Sequence, residues 1–470
     1  MSDIKKILVI FLILATPFFI TNSYGHGIGY EVLPSVKIGD KSVALEVSSS
    51  QYQNPDSPDR EITFALFDTD GGITVRDVTY SIEASKKDQV LFDNTFTTTD
   101  GILVMDFLHG DSDKILVKQE SKTSFFDTLL GVKKDVIRVS GKPFNTGGLY
   151  SFKVSLLIGD QNYKKLEEPI KYNVGLSIPQ RDFYDVKDPN FGIQQLSVIT
   201  YYDEIENFQY EPLAKSLSFT MPFEWNLENI NQTSIVHEEL TIPKTFGELM
   251  VSEYSVKVNG IEIPQRAITL DEFSETQRII HIVLNNNDLV DLYKNQKNHI
   301  NKIDFLLKPL NENLPLSTVT GNGQFRIVLN WEPRDVASGA DVKFYFDILD
   351  VFLKDRPISV SYNLSIVHDN TVIFTQNGIS TASKNEHNVV EFTIPEDIKG
   401  VITLQFDNLD GNNLARVGLP IVVDKTKPSA EVSIPDWVRN NAKWWSEGQI
   451  SDDDFAGGLQ FLIKAGIISV

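Results

Sequence analysis

The chain reads as mainly β: tandem antiparallel β-sandwiches, a β-rich middle domain between them, and a C-terminal two-helix hairpin. Three observations carry that reading. Short runs of alternating apolar and polar residues, broken by turn residues, recur along most of positions 27 to 424. An order of apolar residues near the start returns about 280 positions later. Only the stretch 434–470 combines helix start and stop signals with two apolar helical faces.

The N-terminus reads MSDIKK, then the apolar run ILVIFLILATPFFI, then TNSYG. Charge, a short greasy core and small residues are the layout of a secretory signal, and we expect residues 1–25 to be cleaved after Gly25. The run falls short of the roughly twenty residues that span a bilayer as a helix and contains Pro17, so a retained membrane anchor is the second reading. There is no cysteine, which excludes disulfides, thiolate metal sites and a lipidated cysteine.

The 470 residues carry 43 basic and 64 acidic side chains, a net charge of −21. Such a surface repels nucleic acid and anionic lipid and suits solubility and cation capture. With 41% hydrophobic residues the chain has enough apolar material for several globular domains.

From 26 to 175 the runs SVALEVSSS, EITFALFDTDGG, ITVRDVTYSIEA, DQVLFDNTF, GILVMDFL, DVIRVSG and GGLYSFKVSLLIGD each suit a half-buried strand. Together they predict an antiparallel sandwich. The GGLYSFKV run, with Tyr150 ahead of alternating Phe152 and Val154, resembles a late strand of immunoglobulin-like domains, a resemblance of architecture alone. The order Ile62, Phe64, Leu66, Val78, Tyr80, Ile82, Val90, Phe92 recurs as Val342, Phe344, Phe346, Val360, Tyr362, Leu364, Val372, Phe374. Residues 322–424 are therefore expected to form a second immunoglobulin-like β-sandwich. Between them, 177–320 reads as a separate β-rich domain, with a hairpin turned at Asn259-Gly260 and a short helix at NDLVDLYKN.

After a linker at 425–433, Pro435 suits a first helical position and Gly448 a helix end, with Trp437, Val438, Trp444 and Trp445 on one stripe between them. Ser451 and Asp454 fit a capping box and Ile450 and Phe455 a hydrophobic staple. Phe455, Leu459, Leu462 and Ile463 form the second helix's apolar face, with Phe461 beside it and Gly466 closing it. A hairpin this short has too little interior to stand alone, so its indole-lined face either covers an edge of the preceding domain or docks a partner or a second copy. Docking is assigned to Trp437, Trp444, Trp445, Phe455, Leu459 and Phe461.

This segment resembles the C-terminal module of many exported proteins of ammonia-oxidising archaea (Thaumarchaeota/Nitrososphaerota). The shared pattern is I-P-x-W-x-x-N-x-A-x-W-W-x-x-G-x-I-x-D-x-x-F-x-x-G-x-x-[YF]-L-I-x-x-G-I-I. It is matched here from Ile434, Pro435 and Trp437 through Asn440, Ala442, Trp444, Trp445, Gly448, Ile450, Asp452, Phe455 and Gly458 to Phe461, Leu462, Ile463, Gly466, Ile467 and Ile468. The resemblance covers under a tenth of the chain. It implies export to the envelope or exterior and supplies no catalytic residue.

Chemistry-bearing residues are sparse. Cleavage after Gly25 makes His26 the new N-terminus, whose amine and ring nitrogen could chelate copper with His109 completing the site; the plainer reading is a flexible end and a surface loop. Asp68 and Asp70 in FDTDGG, like Asp111 and Asp113 or Asp407 and Asp410, resemble calcium loops, although Asp and Gly are also ordinary turn residues. His237-Glu238-Glu239 begins like a zinc-protease helix, but Thr241 stands where the second histidine is required. Phosphate loops and a G-x-S-x-G elbow are absent. Asn231 in NQT and Asn363 in NLS fit glycosylation triplets, and Phe223 and Trp225 suit either a sugar platform or core packing. We expect a non-enzymatic exported protein that acts through protein or surface contacts, with copper or calcium handling as the opposing class.

Overall fold

The computed structural model describes residues 29–50, 60–87, 89–122, 134–296, 300–311, 313–425 and, in the tail, 443–446, 449–452, 455–458 and 460. It divides into two compact units, one ending at Lys425 and one beginning at Thr426. The larger unit is mainly β, as its alternating sequence requires. Among the described residues no helix is long and apolar enough to cross a membrane.

Its first part contains β1 (Tyr30–Val32), β2 (Val36–Ile38), β3 (Lys41–Ser49), β4 (Arg60–Asp68), β5 (Val78–Lys86), β6 (Gln89–Thr98), β7 (Ile102–Leu108), β8 (Leu116–Lys122), β9 (Lys134–Ser140), β10 (Gly148–Ile158) and β11 (Ile170–Ile178). One sheet runs β1-β3-β4-β7-β9-β8, with β2 also on β3; the facing sheet runs β11-β10-β5-β6. Strict alternation on β4 and β5 sends Ile62, Phe64, Leu66, Val78, Tyr80 and Ile82 inward, all fully buried. One pair departs from the antiparallel expectation. β7 and β9 run parallel because the chain first visits the sheet edge as β8 and then returns as β9 to lie between β8 and β7. Tyr150 donates its hydroxyl hydrogen back to the upstream carbonyls of Pro143 and Thr146, 3.0 and 2.8 Å away. This is the corner contact found in many sandwiches.

The second part contains β12 (Gln180–Asp188), β13 (Gly192–Thr200), β14 (Glu206–Glu211), β15 (Ser216–Pro222), α1 (Leu227–Gln232), β16 (Ile235–Pro243), β17 (Tyr254–Val258), β18 (Ile261–Glu262), β19 (Ile268–Asp271), β20 (Gln277–Asn285), α2 (Asn286–Asn295) and β21 (Lys302–Pro309). Its sheets run β12-β13-β16-β20-β19 and β14-β15-β21-β17-β18. Asn259 and Gly260 both take positive φ, 48° and 78°, so the β17–β18 turn has the geometry the dipeptide favours. The expected short helix is α2, started by a reciprocal capping box between Asn285 and Asp288.

The third part contains β22 (Leu316–Val319), β23 (Phe325–Glu332), β24 (Asp341–Asp350), β25 (Arg356–Pro357), β26 (Ser361–His368), β27 (Thr371–Ile379), β28 (Asn388–Thr393), β29 (Gly400–Asp407) and β30 (Val417–Val423). Here β23-β24-β28 repeats the order of β3-β4-β7, and β30-β29-β26-β27 repeats β11-β10-β5-β6. The recurring apolar residues thus occupy equivalent strands. Val90 and Val372 are both 54% exposed, and Phe374 is half-buried where Phe92 is buried.

The first part has its own apolar core, whereas one contiguous cluster runs through the second and third. At their seam Arg278 is fully buried and donates to Glu272 Oε1 (3.0 Å) and to the Val251 carbonyl (2.6 Å). Arg326 pairs with the other oxygen of Glu272, and Lys244 Nζ donates to the Val319 carbonyl 2.7 Å away. At the junction of the first two parts Lys86 Nζ lies 2.8 Å from Glu204 Oε1, and the Leu149 amide donates to Asp203 Oδ1.

Candidate metal centre

Strand periodicity builds the one cluster of possible metal ligands found among the described residues: His237, Glu239 and His281. His237 and Glu239 are two apart on β16, so both project from the outer face while Val236, Glu238 and Leu240 turn into the core. β20 pairs with β16 so that His281 lies directly opposite Glu239, with His237 one step along the diagonal. The residues that fall short of a helical H-E-x-x-H therefore work differently in a strand. The second imidazole arrives from the neighbouring strand.

His237 Nε2 lies 3.2 Å from His281 Nδ1, and Glu239 Oε1 lies 3.6 Å and 3.5 Å from those nitrogens. Ligand atoms held ~2.0–2.1 Å from a tetrahedral ion sit ~3.3 Å from one another. The three donors already span such a triangle. The side chains retain 21, 14 and 24% exposure, so solvent reaches one side of the cluster.

Tyr201, just beyond β13, fixes two of the three. Its ring stacks on His237 with centroids 4.7 Å apart and planes at 8°, and its hydroxyl donates to Glu239 Oε1 at 3.0 Å. Burial, then the neighbouring His281, push the His237 pKa down to about 4. His237 is therefore neutral at pH 7, the state in which imidazole binds a metal. Two imidazoles and a carboxylate, without thiolate, suit zinc and other borderline divalent ions, with water or another ligand completing the shell.

Behind the cluster, Glu238 is fully buried, and Oε2 has no hydrogen-bond partner among the described residues. Burial raises its pKa well above the carboxylate range, and Oε1 accepts from the Thr200 hydroxyl, 3.3 Å away.

The residues singled out from sequence are not gathered into one site. Asp68 Oδ1 accepts from the backbone amides of Asp70 and Gly71, Oδ2 from the Tyr163 hydroxyl at 2.9 Å, and Lys41 Nζ lies 4.0 Å from Oδ2. An Asx turn and a cation thus occupy the carboxylate expected to hold calcium, while Asp70 faces solvent. His109 is exposed in the loop after β7; His26 lies outside the described residues. Phe223 and Trp225 are buried, 3 and 4% exposed, so they are core and not a platform for sugar. Asn231 is exposed in α1 and Asn363 is exposed on β26. In the smaller unit Trp445 stacks on Phe455, centroids 4.7 Å apart, and Trp444 and Trp445 are each 44% exposed. Trp437, Leu459 and Phe461 lie outside the described residues.

No protein-family model and no curated protein matches the chain. Among solved structures, trypsin-activated α2-macroglobulin from Escherichia coli is similar at 11% identity and a TM-score of 0.18, over 78% of this chain and 22% of that one. Dimeric latent PorU from Porphyromonas gingivalis is similar at 7% identity and 0.17, over 81% and 34%. BcpA, the major pilin subunit of Bacillus cereus, is similar at 10% identity and 0.16, over 76% and 93%. The chain thus spans less than a quarter of the macroglobulin and about a third of PorU.

Proposed function

We propose that this is an exported envelope or extracellular β-protein that binds a divalent transition-metal ion, zinc in the first instance, through His237, Glu239 and His281. The observation that supports it is the triangle of donor atoms 3.2, 3.6 and 3.5 Å apart, made by two strands whose register brings it together. Export is supported by the signal-like N-terminus and by the resemblance of the tail. The reading is of binding without turnover. It replaces the His26–His109 pair as the basis for metal handling, since the two strands supply a ready donor set in the middle of a sheet.

Metal analysis after zinc loading and gel filtration tests it. One equivalent is expected for the full chain and none for a His237→Ala/His281→Ala variant. Equal zinc in both would overturn the assignment, and zinc that depends on His26 would return it to the N-terminus.

A second reading concerns the tail, for which we propose association with a second copy of the chain. The 44% exposure of Trp444 and Trp445 favours it. Light scattering of the full chain against one ending at Lys425 tests it, with a larger assembly expected only when the tail is present.

A further inference from the structure

Resting on the metal-binding reading, we propose that the ion at His237, Glu239 and His281 keeps an exchangeable fourth position, and that this position takes a small monodentate anion or a ligand carboxylate. Three features of the cluster support this.

All three donors rise from one sheet face, and no fourth His, Cys, Asp or Glu ligand joins them among the described residues. The fourth corner of a tetrahedron therefore points away from the sheet, toward the side from which the three side chains keep their exposure.

Charge then selects the occupant. A divalent ion with one carboxylate and two neutral imidazoles carries one net positive charge. In a half-buried setting that charge is costly unless an anion neutralises it. Water fills the position by default, and an anion gains by replacing it.

Tyr201 supplies the third feature. Its hydroxyl, 3.0 Å from Glu239 Oε1, is a donor beside the ligand shell. Its one hydrogen can turn from Glu239 to an anion on the ion while its ring continues to hold His237 by stacking. Tyr201 is on this reading a positioning residue, not a ligand.

Cobalt(II) is the probe, because its visible bands report coordination. The full chain in a non-coordinating buffer is loaded with cobalt chloride and titrated with sodium azide, then with acetate. Saturable band shifts with both are expected, and Tyr201→Phe, which keeps the stacked ring but loses the hydroxyl on Glu239, is expected to weaken azide several-fold more than it weakens cobalt. If cobalt gives no bands that depend on His281, the metal-binding reading itself is wrong. Should the bands form but ignore azide and acetate, the fourth position is closed and this inference alone is overturned. It is overturned equally if azide acts only in Tyr201→Phe, since the phenol would then be the fourth ligand.

Discussion

Glu239 and His281 face one another directly across the β16–β20 pair, with Oε1 and Nδ1 3.5 Å apart, in the middle of a five-stranded sheet. A ligand bridging them ties together two strands that are 42 residues apart in sequence. Metal binding is therefore expected to stabilise the fold, by ~2.7 kcal/mol when free zinc is a hundredfold above its Kd. Differential scanning calorimetry with zinc and then chelator checks this. His281→Ala should melt at one temperature in both conditions, and a zinc-induced rise that survives the substitution would show that the ion sits elsewhere.

Acid should weaken the same sheet. The folded His237 pKa is depressed from 6.5 to about 4, so the unfolded chain binds more protons in that interval. Its contribution to stability is present above pH 6.5 and is lost as pH falls toward 4. His237→Gln, which cannot titrate, is expected to flatten that part of the stability curve measured by urea unfolding without metal. An unchanged slope between pH 6.5 and 4 would place the acid sensitivity in other groups.

Glu238 acts in the opposite sense. Burial raises its folded pKa, so the native state holds a proton that the unfolded chain has released, and stability declines as pH rises through the folded pKa. Glu238→Gln keeps an acceptor oxygen for the Thr200 hydroxyl and removes the titration. It is expected to match the parent near pH 5 and to exceed it at pH 9 by ~1–3 kcal/mol, the scale of an unpaired buried polar group. The same stability difference between the two proteins at both pH values would mean that folding does not raise the pKa of Glu238.

Local signals with a fixed period are legible in the sequence, and register is not. Alternation places Phe64 and Tyr80 inward, the Asn259-Gly260 pair announces a hairpin, and the apolar order at 62–92 foretells the strands at 342–374. The metal cluster is half visible: His237 and Glu239 stand out together, but His281 belongs with them only through a register that no local rule sets. Glu238 looks in sequence like one more acid in a charged stretch. In a strand its neighbours' outward direction fixes its own as inward, which a helical reading of the same three residues conceals. The parallel β7–β9 pair is hidden too, since it depends on the chain skipping one place in the sheet.

The seam between the second and third parts rests on buried charge. Arg278, with no exposure, holds Glu272 and the Val251 carbonyl, and Glu272 in turn holds Arg326. Removing Arg278 leaves Glu272 with Arg326 alone and takes the donor from the Val251 carbonyl in a poorly solvated place. Arg278→Met is expected to cost ~3–5 kcal/mol, measured by chemical unfolding. Because one apolar cluster runs through both parts, they should still unfold in a single transition. Two separated transitions in the parent would contradict a common core.

The tail should be dispensable for the stability of the larger unit. Among the described residues both apolar cores are complete by Val423, and the smaller unit makes its own contact when Trp445 stacks on Phe455 and donates its indole hydrogen to Asp452 Oδ1 at 2.8 Å. A chain ending at Lys425 is expected to keep the thermal midpoint of the full protein and to lose only its association. Trp444→Ala/Trp445→Ala should reproduce the loss of association within the intact chain, since large exposed aromatic rings are the side chains that dominate protein contacts. A truncated chain that melts several degrees lower would instead mean that the indole face covers its own neighbour, and the association proposal would fall.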